Sequence, residues 1–518
     1  MALHRQLGGK QSSCKYLDLS IRTVIIRLKC PLVMLINLLF RINMASGKIV
    51  QVPKKVSAAP PRALYAKPLL WWIPLLALGF IALGSTLVPA PRMPSSLPAA
   101  PLNAGDTAWM LTATALVLLM TPGLSFFYGG MVDRRNVLST MLQSFIAMGL
   151  VSVLWVTVGF SLAFGDSVGG LVGDPRTFFM FQGVGEETHA TLSPTIPLAL
   201  FALFQLKFAI ITPALITGAF AQRVRFSSYM VFVCLFSLCI YCPLAHWTWH
   251  PEGFLRQWGV LDFAGGTVVH MAGGLAALAG AIYLGPRADR RQGHSPEPAH
   301  IPYVLLGTGM LWFGWFGFNA GSALAANGLA ARAFLTTNTA SAAAMLAWIF
   351  FDCAHARKPS ALGACIGAVV GLVAITPAAG FVSVGASLFI GIAASLISNS
   401  AVHIRSKSSL DDTLDVFPCH GVGGIVGMIL TAVFADKVGL MYGETATIVA
   451  HLYALVVVAT FTLVGSYLLY SLAHVIIPLR VSSAEEELGL DVSQHGESLE
   501  REFTQGELHE GRLHATAS

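Results

Sequence analysis

Charge is what this 518-residue chain has least of: 11% of its residues are Asp, Glu, Lys or Arg, where a soluble domain carries about 25%. With 55% hydrophobic residues and a mean hydropathy of +0.68, a water-soluble chain of this length is excluded. Acidic residues collect mainly in loops and in the tail from Glu485 onward, so the net charge of +6 gives no argument for a nucleic-acid partner. Eight cysteines lie scattered at 14, 30, 234, 239, 242, 353, 365 and 419. Most sit in apolar runs, where a thiol behaves as a small hydrophobe, and neither a disulfide framework nor a zinc spacing emerges. Cys239 and Cys242 form one CxxC inside a hydrophobic segment without a βαβ pattern, which favours packing over redox chemistry. No HExxH or paired CxxC accompanies the histidines, so no metal, cofactor or enzyme chemistry is expected.

Long apolar runs are what the chain does have. A bilayer core of about 30 Å needs roughly 20 apolar residues per helix. On that measure an all-α membrane protein is expected, with eleven helices near 107–131, 137–164, 196–221, 226–246, 262–285, 301–324, 334–355, 361–377, 380–402, 416–435 and 446–477. The odd-numbered gaps and the segment after the last helix hold twelve basic residues, from Arg134 to Arg480; the even-numbered gaps hold four, Arg176, Arg256, Arg332 and Lys437. The richer side belongs in the cytoplasm, so the core starts outside and ends inside, in a cell membrane.

The domain limits follow from the same pattern. Residues 104–477 form the helical domain and 478–518 a cytoplasmic tail. The segment 44–103 is signal-like: Lys54, Lys55, Arg62 and Lys67 precede an apolar run over 69–88, and small and Pro-rich residues follow. The run is long for a signal, which leaves an uncleaved twelfth helix open. Residues 1–43 fit neither reading and are taken as an over-long gene model or a disordered extension, with Met44 as an alternative start.

Ionisable groups at membrane depth are costly and mark pathways or partners. Asp262, His270 and His420 stand out, whereas Asp352 and His355 lie near a helix end where snorkelling accounts for them. Asp262 opens the fifth helix, and eight residues of rise, about 12 Å, carry His270 well into the membrane. His420 follows Asp415 about a turn below the mouth of the tenth. Five helices separate the two, so helices 1–5 and 6–10 form an inverted pseudo-two-fold repeat, and such repeats place sites at their interface near the midplane. A single buried histidine is more often a satisfied core residue; two on matching helices point to function.

Aromatic residues make a second constellation. Phe204 and Phe208 are an i, i+4 pair on helix three, and Trp315, Phe318 and Ser322 fall on one stripe of helix six. Trp249 is expected in the loop before helix five. Ring faces attract small cations by about 0.5–2 kcal/mol per contact, and a serine hydroxyl accepts an ammonium N–H. Taken singly, Phe204 reads first as core filler.

Four strings carry a resemblance: Phe204-Gln-Leu-Lys-Phe208-Ala-Ile-Ile-Thr-Pro, Asp262-Phe-Ala-Gly-Gly-Thr-Val-Val-His270, Trp315-Phe-Gly-Phe-Asn-Ala-Gly-Ser322 and Asp411-Asp-Thr-Leu-Asp415-Val-Phe-Pro-Cys-His420. In order and helix they resemble the Amt/Mep branch of the Amt/Mep/Rh ammonium transporter family, over roughly residues 103 to 497. The resemblance implies a homotrimer of eleven-helix protomers, each with its own apolar pore. It implies that Phe208, Trp249 and Ser322 recruit the ammonium ion at an outer site supported by Asp262. Phe208 and Phe318 match the gate, with Phe204 beside it; Trp315 matches a pore-lining aromatic, and His270 with His420 the twin-histidine pair. The tail Gly489-Leu-Asp-Val-Ser-Gln-His-Gly-Glu497 is similar to a segment that couples protomers, and a P-II signalling protein is the implied cytoplasmic partner. Two departures stand out: Lys207, where an apolar residue is expected, and Pro418-Cys419 in place of small residues before His420.

The implied activity is conduction of ammonium as ammonia, with methylammonium as analogue. No carboxylate is expected between the phenylalanines and the histidines, so a bare ion would face a large desolvation cost and must shed its proton near the gate. An ammonium sensor with low flux, an Rh-type gas channel and a histidine-ligated haem or metal membrane enzyme are the rival readings. The tail of about forty residues is short for an appended signalling domain, and two histidines are too few for the enzyme. If 69–88 is a signal, mass spectrometry of the purified protein will find the mature N-terminus between about Ser85 and Asn103; a mass retaining residues 44–84 establishes a twelfth helix instead.

Overall fold

The computed structural model describes residues 72–87, 101–293 and 297–499. The expectation for residues 1–43 and most of that for 44–103 lie outside them. Trp72–Leu87 forms a 16-residue helix, short for a span, and most of the large apolar side chains described on it are exposed. From Ala104 onward the chain is a helical bundle with two small hairpins, β1 (Ser167–Val168) with β2 (Val172–Gly173) and β3 (Thr188–His189) with β4 (Ser193–Pro197).

Ten helices among the described residues are long and apolar enough to cross a membrane: α1 (Ala104–Met131), α2 (Arg134–Phe164), α3 (Leu198–Phe220), α4 (Phe226–Gln257), α5 (Gly266–Leu284), α6 (Ile301–Ala320), α7 (Gly328–Ala354), α9 (Val384–Ser406), α10 (Phe417–Phe434) and α11 (Ala446–Ile476). At the eighth expected position lies α8 (Ala361–Ile375), only 15 residues long. Without water, each backbone amide and carbonyl must find its partner within its own helix, which is why apolar runs of this length settle as helices. α3 and α5 form the centre, with 83% and 89% of their apolar windows buried against 33% for α2.

Five of these helices depart from regular α geometry through a π-helical segment: Trp155–Gly159 in α2, Ser237–Tyr241 in α4, Gly266–Met271 in α5, Phe316–Ala320 in α6 and Phe417–Val422 in α10. Such segments rotate the residues after them relative to a regular spiral and are frequent at functional sites. His270, Phe318 and His420 all lie inside them.

One end of the bundle is held by ion pairs. Arg287 meets Asp411 at 2.9 Å, Arg405 meets Asp415 at 2.7 Å and Arg480 meets Glu486 at 2.8 Å. The fully buried Arg223 donates to the Ala219 and Asp411 carbonyls and to the Thr413 hydroxyl. Much of the basic excess counted along the sequence is therefore spent on internal pairing. The tail helix α12 (Ser483–Leu488) and the turn after it pack on the same end, where the Asp491 carboxylate accepts the amides of Leu138 and Ser139 at 3.0 and 2.7 Å.

Helices α5 and α10 cross at Gly274 and Gly421, where a Cβ on Gly274 would collide with the Gly421 backbone. Lipid gives no hydrophobic drive to helix association, so small residues that admit close backbone packing take its place. A Gly274→Ala change overpacks this crossing and is expected to cost about 1–3 kcal/mol. Thermal unfolding in lipid or detergent will read it as a lowered midpoint, and an unchanged midpoint would contradict the tight crossing.

Candidate functional site

The site is built on the starts of α5 and α10. Ahead of α5, the buried Asp262 carboxylate accepts the Gly265, Gly266 and Thr267 amides at 2.8, 2.6 and 2.7 Å and the Thr267 hydroxyl as well. These are the amides that a helix start leaves unpaired, and a carboxylate there also opposes the positive end of the helix dipole. Asp262 thus precedes α5 as its cap; the helix begins four residues later than expected. The Asp262 carbonyl in turn accepts the Trp249 indole N–H at 3.2 Å, which ties the cap to the aromatic cluster.

α10 repeats the device. Asp412 accepts the amides of Val416 and Phe417 at 3.0 and 2.7 Å. Sequence reasoning put Asp415 at this mouth, but Asp415 is engaged by Arg405. The signal was present all the same: Asp262 stands eight residues before His270, and Asp412 eight before His420.

Aromatic rings line the way between the two starts. A vestibule of about 400 Å³ is lined by Gln205, Phe208, Trp249, Asp262 and Ser322 among others. Trp249 closes the regular turns Cys242–Trp249 of α4, before a break over 250–253 and a last turn at Phe254–Gln257, so the expectation of a loop position is corrected: regular helix runs three residues further, and the break sets the indole. Ser322 lies in the turn after α6 and donates to the Phe318 carbonyl at 2.8 Å. Phe208 meets Phe204 edge-on at 5.0 Å and Trp249 at 5.7 Å, and stacks on Phe318 at 4.1 Å. Phe204, Phe208 and Phe318 are buried, so the stacked pair closes the vestibule floor.

Beyond that floor stand the histidines. His270 lies 6.0 Å from Phe318, stacks against Trp315 at 5.3 Å and faces His420 with ring centroids 5.5 Å apart. Their Nδ1 atoms are 3.4 Å apart. One outer nitrogen of the facing pair is engaged: His270 Nε2 is 3.2 Å from the Thr376 hydroxyl. Two cavities of about 10 Å³ each flank the pair, room for about one water-sized solute apiece. His420, Phe127 and Val369 line both, and Cys419 lines the second. The linings contain no carboxylate. Among the described residues no group of three metal-ligating side chains gathers.

A profile described as the Ammonium Transporter Family matches residues 108–500. The chain belongs to that family. It is a multi-pass membrane protein. An ammonium transporter of Aquifex aeolicus is 44% identical over 428 residues, covering 81% of this chain and 98% of the relative. The crystal structure of Saccharomyces cerevisiae Mep2 superposes with a TM-score of 0.71 at 34% identity, covering 78% of this chain and 93% of that one. A solved sensor Amt protein gives 0.70 at 30% identity, over 76% and 98%.

Three residues, Thr376, Gln205 and Asp412, escaped the sequence reading, while Lys207 was named in it. Thr376, at the end of α8, carries no signal beyond being a hydroxyl in an apolar run. Gln205 borders the vestibule with a buried carbonyl oxygen that has no donor among the described residues. Lys207, the departure from the family pattern, is half-buried and does not line the vestibule. Asp412 was passed over in favour of Asp415. Burial, and after it the neighbouring Asp415 carboxylate, push Asp412 up to about 7. Between the ordinary Asp value of about 3.9 and that point the folded chain keeps a proton which the unfolded chain has lost, so stability falls as pH rises through this window. The melting temperature is expected to drop from about pH 4 to about pH 7, with a flatter slope in Asp412→Asn; equal slopes would remove Asp412 from this account.

Proposed function

We propose that the chain transports ammonium across a cell membrane, recruiting the ion at the vestibule and passing ammonia along the histidine pair. One observation carries the reading: a wide aromatic vestibule narrows, through stacked Phe208 and Phe318, to two single-solute cavities lined without a carboxylate, the first bordered by His270 and His420 and the second by His420. The faces of Phe208 and Trp249 favour a small cation, the Ser322 hydroxyl and the Gln205 carbonyl offer acceptors, and Asp262 supports the site through its cap. Phe204 backs the gate and Trp315 lines the tube. The floor is too apolar for a bare ion, so the proton leaves near the gate and is regained on the far side. Potassium, with no proton to give up, is excluded.

The protomer is proposed to have eleven membrane helices, counting the short α8, with helices 1–5 and 6–10 inverted about a pseudo-two-fold axis. The shared eight-residue spacing from cap to histidine on α5 and α10 supports that inversion. The basic excess supports an outside start and an inside end. Assembly as a homotrimer and closure by a P-II protein rest on the family likeness. A low-flux sensor is the second reading, favoured by the likeness to the solved sensor Amt protein.

Uptake of labelled methylammonium by cells lacking their own ammonium transporters separates the two. Uptake is expected with the wild-type chain; none, with the protein in the membrane, selects the sensor. Trp249→Leu and Ser322→Ala each remove a contact worth on the order of 1 kcal/mol, so apparent affinity should fall several-fold while assembly survives. Unchanged uptake at limiting substrate would take both residues out of recruitment.

A further inference from the structure

The hydroxyl of Thr376 sits at a junction of three groups. It donates to the Leu372 carbonyl at 2.8 Å, receives the Trp315 indole N–H at 2.9 Å and lies 3.2 Å from His270 Nε2. Thr376 itself is fully buried. A hydroxyl has one proton and two lone pairs, so the direction of each bond can be worked out.

The proton is committed to Leu372. In a regular helix the Leu372 carbonyl would take the Thr376 amide, but that amide turns to the Val373 carbonyl at 3.2 Å, and residue 377 is a proline with no N–H. The threonine hydroxyl therefore supplies the donor that this end-of-helix carbonyl lacks. An indole nitrogen only donates, so Trp315 fills one lone pair of the oxygen. The remaining lone pair can only accept, which makes His270 Nε2 a donor. In a neutral imidazole the other nitrogen is then bare. His270 Nδ1 must accept, and its partner His420 Nδ1 must donate across the 3.4 Å between them. His420 Nε2 is left as a lone pair; it has no partner among the described residues, and His420 borders both small cavities.

We propose that Thr376 is a positioning residue that locks the proton on Nε2 of His270 and on Nδ1 of His420, leaving the Nε2 lone pair of His420 as the one open polar atom of the pair. That atom receives solutes that bring an N–H, as ammonia does, and offers nothing to a solute that only accepts. The pair is thus polarised along one direction by a residue set behind the pore wall. The consequence for transport rests on the pore reading above; the tautomer assignment does not.

The test is nitrogen-15 solid-state NMR of the full-length protein in lipid bilayers, labelled at histidine, because protonated and bare ring nitrogens resonate far apart. His270→Ala and His420→Ala spectra assign the two rings by difference. The wild type is expected to show a protonated Nε2 on His270 and a protonated Nδ1 on His420. Thr376→Val, which keeps the shape and removes the oxygen, should mix the tautomers, and Thr376→Ser should restore them. In methylammonium uptake the Val variant is expected to lose turnover several-fold with little change in KM, with recovery in the Ser variant. A protonated Nδ1 on wild-type His270, or the same tautomers in Thr376→Val as in the wild type, would overturn the proposal. Absence of uptake by the wild type alongside the expected spectra would sink the transport reading and leave the lock standing.

Discussion

Inside the hydrocarbon core a polar group has no water to fall back on, and pairing each one within the protein is the constraint that shapes this chain. Helices solve it along their length and fail at their starts, where several amides have no partner. Two buried carboxylates repair two of those starts. Asp262 gathers four donors ahead of α5, and Asp412 gathers two ahead of α10. Each cap fixes where its helix begins, and the histidine eight residues on is placed by that choice. The aromatic cluster depends on it too, since Trp249 hangs from the Asp262 carbonyl.

The same constraint separates what could be read from the sequence from what could not. Apolar runs carry the helices, because any stretch of that length must close its own hydrogen bonds. The motifs carry the vestibule, the stacked phenylalanines and the facing histidines, because those residue types are rare at membrane depth or recur at helical spacing. Other features depend on partners distant in sequence. Thr376 reaches His270 across 106 residues and Trp315 across 61, which no local pattern announces. The π-helical segments at His270, Phe318 and His420 add a residue to a turn without a mark in hydrophobic periodicity. Trp249 falls inside α4 because the helix continues through a polar stretch where hydropathy alone ends it.

Asp412 is an instructive miss. The motif around His420 offers three carboxylates, Asp411, Asp412 and Asp415, and the nearest one was favoured. The structure divides them by neighbours: Asp411 and Asp415 face arginines, while Asp412 turns to backbone amides. Comparing the two histidine motifs with each other, and with no relative, would have selected it, since only Asp412 reproduces the spacing from Asp262 to His270.

The crossing of α5 and α10 at Gly274 and Gly421 has a mechanical meaning. Gly274 is one turn beyond His270, and Gly421 is the next residue after His420. The gap between the imidazoles is therefore gauged by two backbones in direct contact, with no compliant side chain in series. Bilayers differ in thickness, and peripheral helices respond by tilting. A tilt of α2 or α11, which carry large exposed apolar surfaces, has little leverage on a spacing set backbone to backbone at the centre.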